Sequence, residues 1–399
     1  MAALVMKYGG SSLSSVQQIQ QVAQIISRKK EAYDNIVVVV SAMGKTTNGL
    51  IDMAQAITKT PNKREMDVLL STGEQISISL LAIALNALNH KSISLTGWQA
   101  GIKTYGSAMK QKIKDIDLSR ITKEHENGNI VIVAGFQGYD EKEDISTLGR
   151  GGSDTSAVAL AAALACPCEI YTDVAGIYSV DPKIYPKAKI IPHLSYEEMM
   201  EMASLGAKIL EPRSVDLAAR FKVPLTITLN TGEVEGTKIT QGGNMLEEQM
   251  ITNVSVLDDV VLFNIEHFAD EPQKVLALFN ACAQAGVNID VISQNFNQDI
   301  SFTTNKNDLL DVVAIVKEIT HHPFDYKDDV VKVSVIGNAM RYHSGVAAQV
   351  YTVFAQEEIQ FYQVSTSEIS ISYIIDAKNK EKTVLALAEQ FQLKGEKHA

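Results

Sequence analysis

Two glycine-containing segments of this chain carry residue types suited to binding anions. The first is KYGGSS (7–12), in which a lysine precedes two glycines and two serines, and a helix-like run follows. Glycines let backbone N–H groups approach an anion closely, and the following helix presents its positive end to the same anion. A lysine at the end of a strand can reach over such a turn. An ordinary strand–helix turn would explain the glycines equally well.

The second segment is TLGRGGSDTSAVALAAAL (147–164). Arg150 stands among three glycines, where its guanidinium can grip a carboxylate or a phosphate through two hydrogen bonds. Ser153 and Asp154 are suited to capping the alanine-rich helix that follows. A capped core helix would explain the serine and the alanines but not the arginine. Two such helix entries at strand ends of one sheet predict a ligand crevice.

Two further segments add polar residues. Glu74 follows a glycine within the apolar, helical segment 69–85. A buried carboxylate is costly without a partner, so we expect a side-chain cation or the ammonium group of a ligand beside it. The segment 171–189 is predicted to end a strand and continue as a loop that can stack a base and donate a lysine to phosphates, or else is a surface turn. Its candidate residues are Thr172, Asp173, Tyr178 and Lys183.

The segment SAMGKTTN (41–48) contains Gly-Lys-Thr, the end of the P-loop motif of nucleotide-binding proteins. That motif requires a glycine five positions before Gly44, and the position is occupied by Val39, within a predicted strand. The loop therefore cannot wrap phosphates as a P-loop does. Its hydroxyl groups, on Ser41 and Thr47, can still contact a substrate.

Composition predicts a globular cytoplasmic protein. The 399 residues suffice for two or three domains, and the net charge of −11 argues against a nucleic-acid or anionic-membrane surface. The N-terminus lacks a signal-peptide pattern, and the most hydrophobic stretch, 157–166, is too short to span a bilayer. The three cysteines are expected to be buried thiols in a reducing compartment. No metal site is predicted from their spacing.

Strands and helices alternate over the first 245 residues, which predicts an α/β fold with a mostly parallel sheet. The apolar run NIVVVVSAM shows no alternation, as expected of a strand covered on both faces. The predicted strands are 3–8, 35–43, 91–97, 129–136, 168–174 and 224–229, and the predicted helices are 14–30, 64–89, 153–165 and 195–209.

The pattern changes after 235–244, which we interpret as a linker. Two copies of a β-α-β-β-α unit follow, at 260–326 and 330–393. A repeat of about seventy residues predicts two small ferredoxin-like domains rather than a solenoid. The second copy lacks a sixth strand, which 250–257 can supply, so we expect one copy to be inserted into the other.

Taken in order, these motifs resemble those of the aspartokinases in the amino acid kinase family. The family patterns K-[FY]-G-G-[ST]-S, V-V-S-A-M, S-x-G-E, G-R-G-G-S-D and T-D-V-x-G-[IV]-Y-x-x-D-P match the segments above, and G-A-K-x-L-x-P-R matches GAKILEPR (206–213). The two C-terminal copies are similar to tandem ACT domains, as in VSVIGNAMRYHSGVAA and STSEISIS. The likeness covers essentially the whole chain.

The resemblance implies a three-layer α/β sandwich of the amino acid kinase type, followed by two ferredoxin-like (βαββαβ) ACT domains, one inserted in the other. The implied domains are a catalytic domain at 1–245, a first ACT domain at 258–327 and a second at 328–399, with strand 250–257 completing the sheet of the second.

The resemblance also implies a reaction, in which the γ-phosphoryl group of ATP moves to the β-carboxylate of L-aspartate to give 4-phospho-L-aspartate. Lys7 would contact the transferring group and Asp154 would orient Lys7. Glu74 would bind the substrate ammonium and Arg150 its α-carboxylate. The implied substrate-binding residues are Thr47, Glu74, Arg150 and Ser153. The implied ATP-binding residues are Lys7, Gly9, Gly10, Ser11, Ser41, Thr172, Asp173, Tyr178, Lys183 and Lys208.

The nucleophile is already a carboxylate, so the reaction needs alignment and charge neutralisation rather than a general base. Mg²⁺ is expected to be held mainly by the ATP phosphates, since no dense carboxylate cluster is evident. Three positions depart from the family pattern. Ser11 replaces the commoner threonine but keeps the hydroxyl, Ala175 replaces a frequent aspartate, and Glu211 replaces a frequent histidine and adds negative charge on the expected nucleotide side.

The ACT pair implies feedback inhibition by an end product of the lysine, threonine and methionine pathway, with lysine favoured over threonine. The implied effector residues are Asp270, Asn288, Ile289 and Gln294. The alternative for Asn288 and Gln294 is a structural role at a subunit interface. ACT domains usually pair edge to edge, so we expect a homodimer or homotetramer. The sequence stops after the second copy, so we expect no fused homoserine dehydrogenase.

Two alternative functions are disfavoured by particular residues. A relative acting on glutamate, acetylglutamate, carbamate or UMP is disfavoured by the STGE and GRGGSD segments and by the tandem regulatory tail. A non-catalytic amino-acid sensor would be supported by the loss of Lys7, Arg150 or Asp154, and all three are present.

Overall fold

The computed structural model describes residues 2–207, 209–242 and 250–395. The chain divides into two units, each described here by itself. The first comprises 1–177, 190–203 and 208–245, and the second comprises 178–189, 204–207 and 246–399.

The first unit is built from short strands and longer helices. Its strands are β1 Ala3–Tyr8, β2 Asn35–Val40, β3 Ser92–Leu95, β4 Ile102–Tyr105, β5 Lys112–Ile116, β6 Ile130–Ala134, β7 Gln137–Tyr139, β8 Ile145–Thr147, β9 Cys168–Thr172, β10 His193–Ser195, β11 Leu225–Leu229 and β12 Thr237–Thr240. Its helices are α1 Val16–Lys29, α2 Thr46–Ile57, α3 Lys63–Ala87, α4 Ser119–Glu126, α5 Gly152–Ala163, α6 Tyr196–Ser204 and α7 Pro212–Phe221.

An eight-stranded sheet of order β10-β12-β11-β9-β1-β2-β6-β3 forms the middle layer, and all its pairings are parallel except β11 with β12. In β1, Leu4, Met6 and Tyr8 point into a core shared with α1 and α3. The alternate residues of β1 point to the opposite face, on which α5 packs. The predicted mostly parallel, three-layer sandwich is confirmed.

Two of the helices that cover the sheet, α1 and α3, begin at side-chain caps. Ser15 precedes α1 and its Oγ accepts from the backbone N–H of Gln18 (3.3 Å), while Asn62 caps the start of α3. Helix α5 has no side-chain cap: its N-cap is Gly151, and Ser153 and Asp154 lie within its first turn, so the capping role predicted for them is wrong. By length and composition alone α3 could cross a membrane. However, its residues Ile78, Leu81 and Leu85 are buried in the core against the sheet, as in a core helix of a globular domain.

A second sheet, of order β5-β4-β7-β8, was not predicted from the sequence. Its strands are three to five residues long. Its strand β8 ends at Thr147, and only Leu148 separates it from the GRGG segment at 149–152. It therefore determines where that segment starts.

The interpretation of 235–244 as a linker is wrong within the residues that the structure describes. Thr237–Thr240 forms β12, which pairs with both β10 and β11. Thr237 and Ile239 are buried, so the short alternating segment is an inner strand despite the glycines on either side of it.

The second unit contains one antiparallel sheet of six strands and helices. Its elements are β13 Asn253–Ile265, α8 Pro272–Ala285, β14 Ile289–Gln294, β15 Ile300–Asn305, α9 Leu309–Ile319, β16 Phe324–Ile336, α10 Val346–Gln356, β17 Phe361–Thr366, β18 Ser370–Asp376 and α11 Lys380–Gln390. The strand order is β14-β15-β13-β16-β18-β17.

The long strands β13 and β16 run through both repeat copies. Residues 260–265 of β13 pair with β15 of the first copy, whereas 253–257 pair with 332–336 of β16, which in turn pairs with β18. The strand before the first copy thus completes the sheet of the second. The predicted insertion of one ferredoxin-like copy into the other is confirmed.

Candidate active site

The loops that follow β1, β2, β6 and β9 lie at the carboxyl ends of the strands of the main sheet. The GRGG segment instead follows β8 of the second sheet, so the prediction that both glycine-bearing segments end strands of one sheet is wrong. The parallel register aligns Tyr8 with Val40 and with Tyr171, and Val40 with Ala134. The loops that follow these strands therefore lie side by side at the carboxyl edge. Open α/β sheets bind ligands at this edge.

A buried ion pair joins β1 to the start of α5. Lys7 Nζ lies 2.6 Å from Asp154 Oδ1, and each side chain is only 12% exposed. Because Lys7 lies on the face of β1 that α5 covers, its ammonium reaches the first turn of that helix. The carboxylate fixes the ammonium at the mouth of the strand-end loops, beside a helix end that attracts anions.

The two glycines after Lys7 permit close contact between adjacent loops. The N–H of Gly44 donates to the carbonyl of Gly10 (2.9 Å). A Cβ on Gly10 would lie 2.6 Å from the carbonyl oxygen of Ala42, and one on Gly9 would lie 3.6 Å from the lysine ammonium. Ser11 follows on the exposed side of a short 3₁₀ turn. Side chains larger than hydrogen would close this cradle.

Glu74 is a buried carboxylate with no counter-charge among the described residues. Its side chain on α3 is 3% exposed, and Oε1 accepts from the backbone N–H of Ala42 (3.0 Å). Oε2 has no hydrogen-bond partner among the described residues. Burial raises the pKa of Glu74 to about 7. A Cβ on Gly73 would lie 2.8 Å from Ala42 Cβ, which explains the glycine before the glutamate. A cationic ligand group would satisfy the free oxygen.

Two hydroxyl candidates flank this carboxylate. Ser41 directly follows β2, and its backbone N–H donates to the carbonyl of Tyr8 (3.1 Å). Thr47 lies in the first turn of α2 and is half-buried. Its neighbour Thr46 packs against the glycine that precedes Glu74. Ser41 thus precedes Ala42, whose N–H donates to Glu74, and Thr47 lies in the helix that follows the same loop.

The GRGG segment presents its arginine to solvent. Gly149 and Gly151 have positive φ angles of 81° and 65°, a conformation that glycine adopts without strain. The Arg150 side chain is exposed and makes no hydrogen bond or ion pair with any residue described. Ser153 is buried, with its Oγ 2.8 Å from where a Cβ on Gly135 would stand. The guanidinium is free to bind an anionic ligand.

Glu211, one of the departures from the family pattern, packs against this segment. A Cβ on Gly151 would lie 2.5 Å from Glu211 Cβ. Burial raises the pKa of the Glu211 carboxyl, and the nearby charge of Asp154 raises it further.

The predicted nucleotide residues are divided between the two units. Thr172 ends β9, and its carbonyl accepts from the N–H of Asn230 (2.8 Å), whose side chain donates to Ser12 Oγ (3.3 Å) in the KYGGSS segment. Asp173 follows and accepts from the Thr172 hydroxyl (3.1 Å). The strand-end loops thus connect at this side as well.

Tyr178 and Lys183 belong to the second unit, so the structure does not group them with the strand-end loops of the first. Tyr178 is half-buried and Lys183 is exposed. Lys208 lies outside the described residues.

The remaining predicted residues of the first unit share its carboxyl edge. They are Lys7, Gly9, Gly10, Ser11, Ser41, Thr47, Glu74, Arg150, Ser153, Asp154, Thr172 and Asp173. Among the residues that the structure describes, no group of three or more His, Cys, Asp or Glu side chains is placed to hold a metal ion.

Sequence reasoning missed Asp67 and Arg213, which hold the backbone near Arg150. One signal was available: Asp67 precedes Glu74 by seven residues in a helix, which puts both carboxylates on the same face. Arg213 stands in the quoted GAKILEPR segment, but no role was predicted for it.

The predicted effector residues lie in the first repeat copy. Asp270 is exposed at the end of a 3₁₀ turn before α8. Asn288 is exposed directly before β14, an end strand of the sheet, and Ile289 begins that strand. Gln294 ends it, and its Nε2 donates to Gln298 Oε1 (2.8 Å).

Comparison with known proteins identifies both parts of the chain. Residues 2–228 match the model of the amino acid kinase family, and residues 333–391 match that of the ACT domain. The aspartokinase of Geobacillus stearothermophilus is 42% identical over an alignment of 398 positions that covers 98% of this chain and 98% of that protein.

Solved structures support the same fold. Aspartokinase III of E. coli in complex with aspartate and ADP superposes with a TM-score of 0.81 at 21% identity, covering 97% of this chain and 99% of that one. The same protein in complex with lysine and aspartate gives a TM-score of 0.78 at 20% identity, covering 98% and 99%.

Proposed function

This chain belongs to the aspartokinases of the amino acid kinase family, and we propose that it phosphorylates the β-carboxylate of L-aspartate at the carboxyl edge of its main sheet. The observation that carries the assignment of this site is the buried ion pair of Lys7 with Asp154. It holds a cation where two glycine-bearing loops and a helix start converge.

The substrate aspartate carries one cationic and two anionic groups. We assign its ammonium to Glu74, whose buried Oε2 has no partner among the described residues. We assign its α-carboxylate to Arg150, whose guanidinium has no partner within the part of the chain that the structure describes. Ser153 and Thr47 supply hydroxyls beside these two groups. With both ends of the substrate bound, the β-carboxylate can point toward Lys7.

The transfer needs no proton removal from the nucleophile. An oxygen of the aspartate β-carboxylate forms a bond to the γ-phosphorus of ATP, while the bond from that phosphorus to the bridging oxygen breaks and ADP leaves with the electron pair. Lys7 neutralises charge on the transferring group, and Asp154 keeps Lys7 in place. The glycine cradle lets backbone N–H groups approach the phosphates.

ATP and Mg²⁺ fit the residues present in different ways. The loop around Gly9 and Gly10 is assigned to the phosphates, because glycine at position 10 lets this loop pack directly against the carbonyl of Ala42, which a Cβ would approach to 2.6 Å. Thr172, Asp173, Ser11 and Ser41 line the same edge and are assigned to the nucleotide, as are Tyr178, Lys183 and Lys208 by motif. Mg²⁺ would neutralise phosphate charge and is assigned mainly to the ATP phosphates, since Asp154 is already paired with Lys7.

The ACT pair makes this an allosterically regulated enzyme, inhibited by an end-product amino acid. We propose lysine as the effector and assign its site to Asp270, Asn288, Ile289 and Gln294. We also propose a homo-oligomer formed through the ACT domains, because β14 is an end strand with an exposed face. The domain limits 1–245, 258–327 and 328–399 are retained as part of this proposal.

The deciding experiment is an ADP-release assay on the full chain with L-aspartate, glutamate, acetylglutamate, carbamate and UMP. Turnover with aspartate alone is the expected result. Turnover of glutamate but not aspartate would reassign the substrate, and lysine binding without turnover of any compound would make the protein a sensor. The assay is repeated with lysine, threonine and both to identify the effector.

A further inference from the structure

Two side chains of opposite charge, Asp67 and Arg213, hydrogen-bond to the segments that precede Arg150. Asp67 lies on α3 and is 1% exposed. Its two carboxylate oxygens each accept from the N–H of Met109 (3.1 Å), and Oδ1 also accepts from Thr147 Oγ1 (2.5 Å). Thr147 is the last residue of β8, three positions before Arg150.

Arg213, in the first turn of α7, contacts the same two segments as Asp67, namely 109–111 and 147–148. Its Nη1 donates to the carbonyl of Leu148 (3.2 Å) and its Nη2 to that of Gln111 (3.1 Å). The two segments are joined to each other, because the N–H of Gln111 donates to the carbonyl of Thr147 (3.0 Å). A planar guanidinium spans two carbonyls in a way that a lysine ammonium cannot.

The short loop from Leu148 to the start of α5 is therefore fixed at its base. The N–H of Gly152 donates to the carbonyl of Gly149 (3.1 Å), which closes the loop above. A Cβ on Gly149 would lie 3.2 Å from the carbonyl oxygen of Met109, so the loop also rests on the segment that Asp67 holds. Arg150 lies within the turn that the hydrogen bond from Gly152 to Gly149 closes.

Burial of Asp67 without an ion-pair partner among the described residues is costly and needs a reason. Burial raises the pKa of the Asp67 carboxyl, and its hydrogen bonds to Thr147 and Met109 partly oppose that rise. A residue that only packed here would be apolar. The carboxylate accepts from donors on both segments at once, which an apolar side chain cannot do.

We propose that Asp67 and Arg213 are positioning residues that set the place of the Arg150 guanidinium for the aspartate α-carboxylate. This inference rests on the proposed function, in which Arg150 grips that carboxylate. Neither residue touches the substrate, and each acts on affinity through the loop that carries Arg150.

The test uses the full-length enzyme and the ADP-release assay. Asp67→Asn removes the charge and places an N–H₂ group against the N–H of Met109, while its remaining oxygen can still accept from Thr147. Arg213→Lys leaves one carbonyl without its donor. Each variant is expected to raise the KM for aspartate about tenfold, the scale of a sub-ångström misplacement of a binding group, while the KM for ATP changes less than about twofold. Glu124→Gln is the matched control, since Glu124 is a buried, hydrogen-bonded carboxylate on α4 that contacts neither segment. It should leave both KM values unchanged.

A double-mutant cycle separates positioning from general damage. On an Arg150→Ala background, Asp67→Asn should raise the aspartate KM no further, because the group it positions is gone. Additive effects of the two substitutions would overturn the proposal, as would equal rises in the KM values for aspartate and ATP. If Asp67→Asn does not fold, Thr147→Val removes only the hydroxyl donor to Asp67 and carries the same cycle.

The outcomes distinguish the two levels of inference. Absence of aspartate turnover in the wild-type enzyme would refute the proposed function. A wild-type enzyme that turns over aspartate, with Asp67→Asn and Arg213→Lys indistinguishable from it, would refute only the positioning role.

Discussion

Replacing Glu74 by glutamine should move protein stability and aspartate affinity in opposite directions. Glutamine keeps an oxygen that can accept from the N–H of Ala42, which Glu74 Oε1 does at 3.0 Å. It removes the negative charge from a site that is 3% exposed and contains no cation from the described residues. The substitution therefore separates the cost of burying the charge from its use in binding.

The cost follows from the pKa of Glu74, which burial raises from 4.5 to about 7. Between these values the folded protein holds a proton that the unfolded chain has released, so stability is greatest below the unfolded value and falls as pH rises through 7. Full ionisation costs about 3 kcal/mol, of which roughly 1 kcal/mol is lost between pH 6 and pH 8. Glutamine has no such dependence.

The negative charge of Glu74 is expected to contribute to aspartate affinity through a hydrogen bond to the substrate ammonium. A hydrogen bond to a charged partner is worth about 2 kcal/mol, so loss of the carboxylate should raise the aspartate KM roughly thirtyfold at pH 8. In the wild-type enzyme the same KM should fall as pH rises from 6 to 8, because Glu74 must ionise to bind the ammonium. In Glu74→Gln this part of the pH dependence should disappear.

The measurements are unfolding by urea without ligands and ADP release with varied aspartate, both at pH 6 and pH 8. Glu74→Gln should gain stability over the wild type as pH rises while losing affinity. Glu65→Gln is the control, because Glu65 makes its ion pair at the exposed start of the same helix. Parallel stability profiles of wild type and Glu74→Gln, together with an unchanged aspartate KM, would refute this reasoning.

Four further substitutions test other parts of the proposal. Lys7→Ala removes the charge that neutralises the transferring group and should lower kcat at least about hundredfold, with a much smaller change in the aspartate KM. Arg150→Ala should do the reverse and raise the aspartate KM about tenfold to hundredfold in steady-state assays; equal, mild effects of both would contradict the assigned roles. Gly10→Ala places a Cβ 2.6 Å from a neighbouring loop carbonyl, so it should lower the free energy of unfolding by about 1–3 kcal/mol and also lower kcat. The control is Gly49→Ala, whose Cβ meets no atom within 4 Å and which should lower neither the stability nor kcat. Asn288→Ala should raise the lysine concentration for half-inhibition without changing the uninhibited rate, and an unchanged inhibition curve would remove it from the effector site.

The sequence predicts those elements whose burial is uniform. Strand β2 is a run of β-branched residues, all buried from Ile36 to Val40, and no other element type suits it. The glycine-bearing loops were identified because their glycines accompany cations, Lys7 and Arg150, at predicted helix starts. Lys7 and Asp154 were placed by resemblance, and the structure pairs them at 2.6 Å.

What the sequence does not predict depends on contacts between distant segments. The four-stranded sheet uses strands of three to five residues, too short for alternation to be recognised. The strand Thr237–Thr240 was taken for a linker because Gly236 and Gly242 flank it. Asp67 and Arg213 hydrogen-bond to backbone N–H and carbonyl groups. Nearly every residue has these groups, so the sequence contains no side-chain pattern that identifies the partners.

The shared strands β13 and β16 make the two regulatory copies inseparable. Residues 253–257 are synthesised before the inserted copy, yet their neighbours at 332–336 follow it in the chain. The second copy can therefore close its sheet only after the first has been made. If the second copy were expressed alone from residue 328, the edge of β16 that pairs with β13 would be exposed, and the fragment would tend to aggregate. Neither copy can therefore be fused to another enzyme as an independent domain by dividing the chain between them.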